Sequence, residues 1–388
     1  MNVLLLLAFS FIAMFFIGRL LEKVHIPWIF SALLVGLLLP IYTPALQLST
    51  NESFGFLADL GMYFMLFMAG YEIRLKHMLS QKQFAIKITA AIILCETALG
   101  SIFLHFAFGL SWPIALLVAS SFATVGEAIL LPILEHAKIL RTNLGQLILS
   151  VGIIDDVVEI FAIIIAVVLL GKIGGHSQIN IWSNLFILLI LALVAMAFVK
   201  FPSIPKSFKT KQFPQVLLFA VFVLLLFVGI GSLAESAALG ALIAGVTLAK
   251  FAPRQHINSI GKDMHTLCYG FFAPIFFLSV GLHTNLFYLF DSFLLVIAIV
   301  ALAAIAKILP SYLLAKSRLG TKGSLILGTA LVAKLSTGIV ILQLLLRNGL
   351  IDDHVYSVLI AANLFFGIAV PFLLSILIKR WGRQLRGV

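Results

Sequence analysis

The stretch LSVGIIDDVVEIFAIIIAVVLL, residues 149–170, carries three acids in an otherwise apolar segment. Asp155, Asp156 and Glu159 lie within about one turn of a helix. A carboxylate at the bilayer centre costs roughly 2.5–3.5 kcal/mol on insertion scales, so three unpaired charges would cost about 8 kcal/mol. That cost is comparable with the stability of a whole domain. The cluster must therefore be solvated by a cavity, paired with cations or partly protonated.

The composition indicates that lipid is the solvent of this chain. Of the 388 residues, 62% are hydrophobic and 11% are charged, whereas a soluble domain is nearer half apolar and a quarter charged. Apolar runs long enough to cross about 30 Å of hydrocarbon predict an all-α integral membrane protein with about thirteen transmembrane helices. These spans cover residues 2–18, 27–45, 54–72, 85–108, 111–134, 143–170, 180–199, 213–231, 234–252, 264–283, 288–315, 321–346 and 352–378.

The basic residues follow the topology that these spans define. The formal net charge of +11 could suggest a nucleic-acid partner, but 22 of the 26 Lys and Arg residues fall on one side of the thirteen spans. By the positive-inside rule the N-terminus is outside and the C-terminus is in the cytoplasm, which predicts a multi-pass protein of the inner (cytoplasmic) membrane. We expect the lipid bilayer, and no nucleic acid, as the partner of this charge. Because the basic residues follow the first span, we interpret that span as an uncleaved helix.

The two halves of the chain resemble each other. The matching segments are FSALLVGLLLP (30–40) with SAALGALIAGVTLA (236–249), and FMLFMAGYEIRL (64–75) with IFFLSVGLHTNL (275–286). The displacement is seven spans, an odd number, so the second copy must be inverted in the membrane. We predict a single transporter domain over 1–388, with inverted repeats at approximately 27–170 and 234–378, because such repeats are typical of secondary transporters.

Spans five and twelve correspond in this repeat, and both carry helix-breaking and ionisable residues. Span five reads SSFATVGEAILLPILEH (120–136) and includes Thr124 and Glu127; span twelve reads ALVAKLSTGIVI (330–341) and includes Lys334 and Ser336. Matched discontinuous helices are the best sequence indication of a transport site, because they free backbone carbonyls to coordinate a cation. The alternative is that the small residues form packing faces between helices.

A lysine deep in span eleven is the obvious partner for the acids. Lys307 lies about ten residues from either end of its span, so it needs a carboxylate or must lose its proton. The alternative is a static salt bridge, which does not explain two adjacent aspartates. When Asp156 is ionised it can hold a dehydrated Na⁺ or Li⁺ with hard oxygen ligands, and protonation expels the ion. A site that binds either species and opens alternately to the two sides belongs to an antiporter.

The segments IIDDVVEI, LVAKLSTGI, SAALGALIAG, FFLSVGL and FMAGYEIRL resemble the signature segments of NapA-type bacterial Na⁺/H⁺ antiporters, in the second monovalent cation:proton antiporter family. The resemblance covers about residues 10–378 and implies an inverted-repeat antiporter fold with two crossed discontinuous helices. It implies that Asp155 pairs with Lys307, that Asp156 binds the ion and that Thr124 lies in the crossing. The double aspartate implies electrogenic exchange. Family members are homodimers with a dimer-side domain and a six-helix core domain that moves like an elevator.

The sequence departs from the family pattern at several positions. Many relatives have Arg followed two residues later by Glu where this chain has Lys334 and Ser336. Glu127 and Glu159 stand where relatives have small or apolar residues, so Glu127 is a candidate partner of Lys334 or a second titrating group. These departures leave K⁺ open as the cation. The chain stops about ten residues after the last span, so we expect no soluble C-terminal regulatory domain.

Glu96, deep in span four, has two readings: a hydrogen-bonded core acid or a minor proton group. The main hypothesis is a transporter without cofactors that exchanges Na⁺ or Li⁺ for H⁺, with a K⁺/H⁺ antiporter as the alternative. A cation channel would require conduction without proton coupling, and a sodium-coupled symporter is disfavoured by Lys307. An intramembrane aspartyl protease is disfavoured because its aspartates must face each other across a water, which the neighbours Asp155 and Asp156 cannot do. We therefore expect no enzyme activity.

Overall fold

The protein is represented by a computed structural model. It describes residues 3–23, 26–41, 51–72, 82–126, 130, 133–134, 137, 139, 142–152, 154–155, 158, 190, 193–194, 196, 213–233, 237–251, 254–334 and 336–385. Asp156, Glu127 and Glu159, three of the predicted site residues, lie outside the described residues, as does the side chain of Ser336.

Every regular element within these ranges is helical. The α-helices are α1 Val3–Lys23, α2 Phe30–Leu38, α3 Glu52–Glu72, α4 Lys82–Phe108, α5 Trp112–Phe122, α6 Phe213–Ser232, α7 Ala237–Phe251, α8 Arg254–Leu267, α9 Ala273–His283, α10 Leu286–Asp291, α11 Phe293–Leu331, α12 Ser336–Arg347 and α13 Asp353–Leu385. A 3₁₀ turn, Leu39–Ile41, extends α2, and a π-helical turn, Cys268–Phe272, joins α8 to α9. The predicted all-α membrane protein is confirmed.

Six described helices are long and apolar enough to cross a membrane, and five shorter apolar helices accompany them. The predicted spans 54–72 and 213–231 agree with α3 and α6 to within two residues at each end. The predicted spans 143–170 and 180–199 fall largely outside the described residues, so the number of thirteen spans stays a prediction there.

Helix α11 consists of two helices joined at Gly320. This glycine has φ 66° and ψ 177°, a conformation that side chains with a Cβ rarely adopt. After Gly320 the chain folds back on the preceding helix. The evidence is the close approach of Gly328 to Ile308: a Cβ placed on Gly328 would lie 2.9 Å from the Cα of Ile308. The break agrees with the predicted boundary between the spans 288–315 and 321–346.

The chain forms two compact units. The first contains Met1–Gln47, Leu75–Ala162 and Val280–Val388, and the second contains Leu48–Arg74 and Ile163–Ser279. All described residues of the predicted ion site belong to the first unit.

Glycines let backbones touch within each unit. In the second unit α3 packs on α7: a Cβ on Gly70 would lie 2.2 Å from the carbonyl oxygen of Leu242, and one on Gly245 would lie 2.0 Å from that of Phe67. In the first unit a Cβ on Gly281 of α9 would lie 2.4 Å from the carbonyl oxygen of Leu33 in α2. Any larger residue at these three positions would force the paired helices apart.

Candidate functional site

Helix α5 ends in the middle of its predicted span. Ser120 and Ser121 donate their hydroxyls to the carbonyl oxygens of Leu117 and Val118, at 2.9 and 2.8 Å, and such side-chain bonds compete with helix continuation. The α-helix ends at Phe122, and residues 124–126 are non-helical. The last carbonyls of a helix have no amide donors within that helix. This break therefore places carbonyl oxygens in the protein interior that need donors from elsewhere in the chain.

A second break lies against the first. Helix α11 ends at Leu331 and α12 begins at Ser336; Val332 forms a turn, and residues 333–334 are non-helical. The amide of Gly126 donates to the carbonyl oxygen of Ala333 at 2.7 Å, so the two non-helical stretches cross in direct contact. The predicted pair of crossed discontinuous helices is confirmed.

Gly338, in the first turn of α12, allows this close crossing. A Cβ at this position would lie 2.7 Å from the carbonyl oxygen of Ser121 and 3.3 Å from the hydroxyl oxygen of Thr124. The sequence placed Thr124 in the crossing region, and the structure places it in the non-helical stretch after α5, where it is buried. Its hydroxyl donates to the carbonyl oxygen of Ser121 at 3.4 Å.

Lys334 lies in the second break and is buried. Its ammonium group donates to the carbonyl oxygen of Phe122, the last helical residue of α5, and to Oε1 of Glu96 at 2.7 Å. The same nitrogen lies 4.3 Å from the ring centroid of Phe122 and 5.6 Å from that of Phe366. A carboxylate, a helix C-terminus and two aromatic faces thus stabilise one buried positive charge.

Lys307 reaches the same region from α11 and is fully buried. Its Nζ donates to the carbonyl oxygen of Thr124 at 2.6 Å and lies 3.5 Å from Oε2 of Glu96. One lysine from α11 and one from the second break therefore converge on one carboxylate and on the carbonyls of the first break.

Asp155 is buried beside this break. Its Oδ2 accepts the amide hydrogen of Val125 at 2.6 Å, which ties the aspartate to the non-helical stretch after α5. Among the described side chains, the carboxylate in contact with Lys307 is Glu96, where we expected Asp155. The direct pair of Asp155 with Lys307 stays a prediction.

Glu96 is the residue whose importance the sequence left open. It is only 2% exposed, and its contacts with both lysines agree with the reading of a core acid held by polar partners. Its depth in span four was the only sequence signal, because nothing in the sequence links position 96 to positions 307 and 334. The sequence offered Glu127 as a candidate partner of Lys334, and Glu127 lies outside the described residues. Among the described residues, Lys334 forms an ion pair with Glu96.

Chemically, the described cluster combines two acids, two ammonium groups and the carbonyls of a broken helix. Oxygen ligands of this kind suit hard monovalent cations, and buried acids and amines suit proton exchange. The role of Asp156 as cation ligand, and the auxiliary roles of Glu127, Glu159 and Ser336, stay predictions because those groups are outside the described residues.

The amino-acid sequence of the chain is similar to those of known proteins. The family model described as "Sodium/hydrogen exchanger, transmembrane" matches residues 8–380. The probable Na⁺/H⁺ antiporter 3 of Methanocaldococcus jannaschii is 27% identical over 93% of both chains. A Na⁺/H⁺ antiporter of Enterococcus hirae is 23% identical over 66% of this chain and 68% of its own.

A solved structure agrees with the fold. The sodium proton antiporter MjNhaP1 from M. jannaschii, determined at pH 8, superimposes with a TM-score of 0.65 at 19% identity. The superposition covers 99% of this chain and 97% of the other. At this identity the match supports the fold alone, and it agrees with the helical architecture.

Proposed function

Because the chain belongs to the sodium/hydrogen exchanger family, we propose that it exchanges Na⁺ or Li⁺ for H⁺ across the cytoplasmic membrane by alternating access. It is a multi-pass membrane protein, and its relatives are named as antiporters, which are transporters and not enzymes. The observation that carries the proposal is the crossing of two broken helices, with Asp155 and Lys307 bound to the backbone of the first break.

In the proposed cycle Asp156 binds either the cation or a proton. Its neighbour Asp155 is anchored to the first break. Because consecutive residues of a helix are about 100° apart, we propose that the two aspartates face different partners. Asp155 and Lys307 are proposed to carry the additional charge that makes exchange electrogenic. In this view no cofactor takes part, and the transported ions are the only non-protein species.

The inverted repeat is proposed as the basis of alternating access. Gly281 lies against Leu33 and Leu37, and Gly70 lies against Leu242 and Val246. In each case the two residues that the glycine contacts are four residues apart, about one turn of a helix. Gly70 and Gly281 are each the seventh residue of the two segments that resemble each other, 64–75 and 275–286. Exchanging the two copies therefore maps one glycine contact onto the other, as a two-fold repeat requires.

We propose a homodimer with the N-terminus outside and the C-terminus in the cytoplasm. The orientation rests on the distribution of Lys and Arg between the two sides of the predicted spans. The alternative cation is K⁺, for which the departures of Glu127 and Glu159 from the family pattern leave room.

Transport by purified protein in liposomes that contain a pH-sensitive dye tests the proposal. After a proton gradient is formed, addition of Na⁺ or Li⁺ should release protons, and parallel additions of K⁺ rank the cations. Asp156→Asn should abolish the response. Asp291→Asn is the matched control, because it removes one acid from an exposed position at the end of α10. Full exchange by the Asp156 variant would refute the assignment of the site, and cation flux without proton flux would indicate a channel.

Electrogenicity is tested by clamping the membrane potential with K⁺ and valinomycin. The rate of exchange should depend on the potential in the wild type, and this dependence should be lost in Asp155→Asn. A wild-type rate that is independent of the potential would refute electrogenic exchange while leaving antiport intact.

A further inference from the structure

Two ammonium groups occupy the carbonyl oxygens that the first helix break exposes. Lys334 donates to the carbonyl of Phe122, and Lys307 donates to that of Thr124. Each ammonium carries one positive charge and contacts oxygen, as a transported monovalent cation would. These two oxygens are therefore already occupied by positive charge, and a cation that takes the position of either ammonium group must displace that lysine.

A displaced lysine needs a place to go inside a low-dielectric interior, because an unpaired buried charge is costly. Glu96 is the described carboxylate that both lysines contact, at 2.7 Å for Lys334 and 3.5 Å for Lys307. Helix α4, which carries Glu96, packs against both α5 and α11.

Glu96 also has unused capacity. Its Oε1 accepts from Lys334, but its Oε2 is buried without a hydrogen bond in the described part of the chain. At 3.5 Å the contact of Oε2 with Lys307 is an ion pair that is longer than an ordinary hydrogen bond. Lys307 can shorten this contact if it leaves the carbonyl of Thr124, so the orphaned oxygen marks an alternative position for the ammonium group.

We propose that Glu96 is a positioning residue for cation binding: it receives the lysine ammonium groups when the transported cation takes the carbonyl oxygens of the first break. This inference rests on the proposed exchange function and extends it to the residue that sets the apparent cation affinity. Without the Glu96 charge, the lysines remain on the carbonyls and compete with the cation. With the Glu96 charge present, a lysine that leaves a carbonyl oxygen gains a closer contact with a carboxylate.

Cation binding to detergent-solubilised protein tests the proposal without requiring transport. A ligand that binds only the folded state stabilises it by RT ln(1 + [L]/Kd), so fitting a Na⁺ titration of the melting temperature to this relation, with choline to hold ionic strength, gives the half-saturating concentration Kd. Glu96→Gln should raise this concentration about tenfold, and Glu96→Asp, which keeps the charge on a shorter side chain, should raise it less. Thr97→Val is the control, because Thr97 is the next residue of α4 and its Oγ1 is also buried without a partner among the described residues. It should not change the titration.

The double variant E96Q/K334M distinguishes positioning from simple stabilisation. Removing one competing ammonium together with Glu96 should bring the half-saturating Na⁺ concentration back towards the wild-type value. Unchanged half-saturation in both the Gln and Asp variants, with lower melting temperatures, would assign Glu96 a structural role and overturn the proposal. Should Glu96→Gln fail to fold, Glu96→Asp decides in the same way.

The exchange assay in liposomes is run on the same preparations. If the wild type binds Na⁺ with the expected dependence on Glu96 but does not exchange it for protons, the proposed function fails and the role of Glu96 stands. If the wild type exchanges ions and the Glu96 variants saturate at wild-type concentrations, the role of Glu96 fails and the proposed function stands.

Discussion

Replacing Gly245 with alanine tests the backbone contact between α3 and α7. The new Cβ would lie 2.0 Å from the carbonyl oxygen of Phe67 and 2.8 Å from the amide nitrogen of Tyr71. Ordinary contact begins at 3.4 Å, so the two backbones must separate by about 1.4 Å. Both obstructing atoms belong to the main chain of a helix, which cannot rotate away as a side chain can.

The expected cost follows from two opposing effects. Overpacking in a close-packed interior costs about 1–3 kcal/mol. Alanine favours the helix over glycine by about 1 kcal/mol. Since the required movement is larger than a side-chain adjustment, we expect the upper end of the first range and a net loss of about 2 kcal/mol. The same reasoning orders the sites as Gly245, Gly70 and Gly281, whose nearest contacts are 2.0, 2.2 and 2.4 Å.

Thermal unfolding in detergent, followed by the fraction of protein that remains monodisperse, measures this effect. A loss of 1 kcal/mol lowers the melting temperature by about 2–4 °C in chains of 150–250 residues and by less in longer chains, so Gly245→Ala should melt several degrees lower. Gly229→Ala is the matched control, because Gly229 in the neighbouring helix α6 has nothing within 4 Å of an added Cβ. It should melt at or slightly above the wild-type temperature. A Gly245 variant as stable as the Gly229 variant would refute the reasoning.

Three further predictions concern the first unit. Gly338→Ala should lower both stability and cation affinity, because its Cβ would lie 2.7 Å from the carbonyl of Ser121 at the crossing; the melting temperature and the Na⁺ titration measure these effects. Tyr356→Phe should cost about 1–3 kcal/mol, since it leaves the buried Oε1 of Gln343 without the hydroxyl that donates to it, and an unchanged melting temperature would contradict this contact. Lys307→Met should lower the melting temperature by a similar amount, because it leaves a buried carbonyl without its donor, whereas wild-type stability would mean that water replaces the ammonium group.

The positions of the helices could be predicted from the sequence because hydropathy is a local property. The span 213–231 appears as Phe213–Ser232, and the two interrupted spans appear as breaks after Phe122 and Leu331. Each break is encoded by nearby residues: serines that bond to their own helix, glycines, and a lysine that cannot lie in lipid. The pairing of the two spans followed from the repeat, whereas their crossing was implied by the family resemblance.

The partner of each charge could not be predicted in the same way. Helical periodicity shows which residues of one helix share a face, and so it related Asp155 to Glu159, but it cannot say which faces of different helices meet. Glu96 and Lys334 are 238 residues apart and form an ion pair. The sequence showed only that each was too deep for an unpaired charge.

The charges of the described cluster add up to zero when Glu96, Asp155, Lys307 and Lys334 are all ionised. If all four kept their charges throughout the cycle, Asp156 would bind a monovalent cation in one direction of transport and a proton in the other. The net charge of the site would then be zero in both steps. The membrane voltage would then have no net charge to act on. An exchanger driven by voltage must move more than one proton for each cation, so a group besides Asp156, either one of these four or Glu127 or Glu159, must itself change its protonation state as the protein turns over.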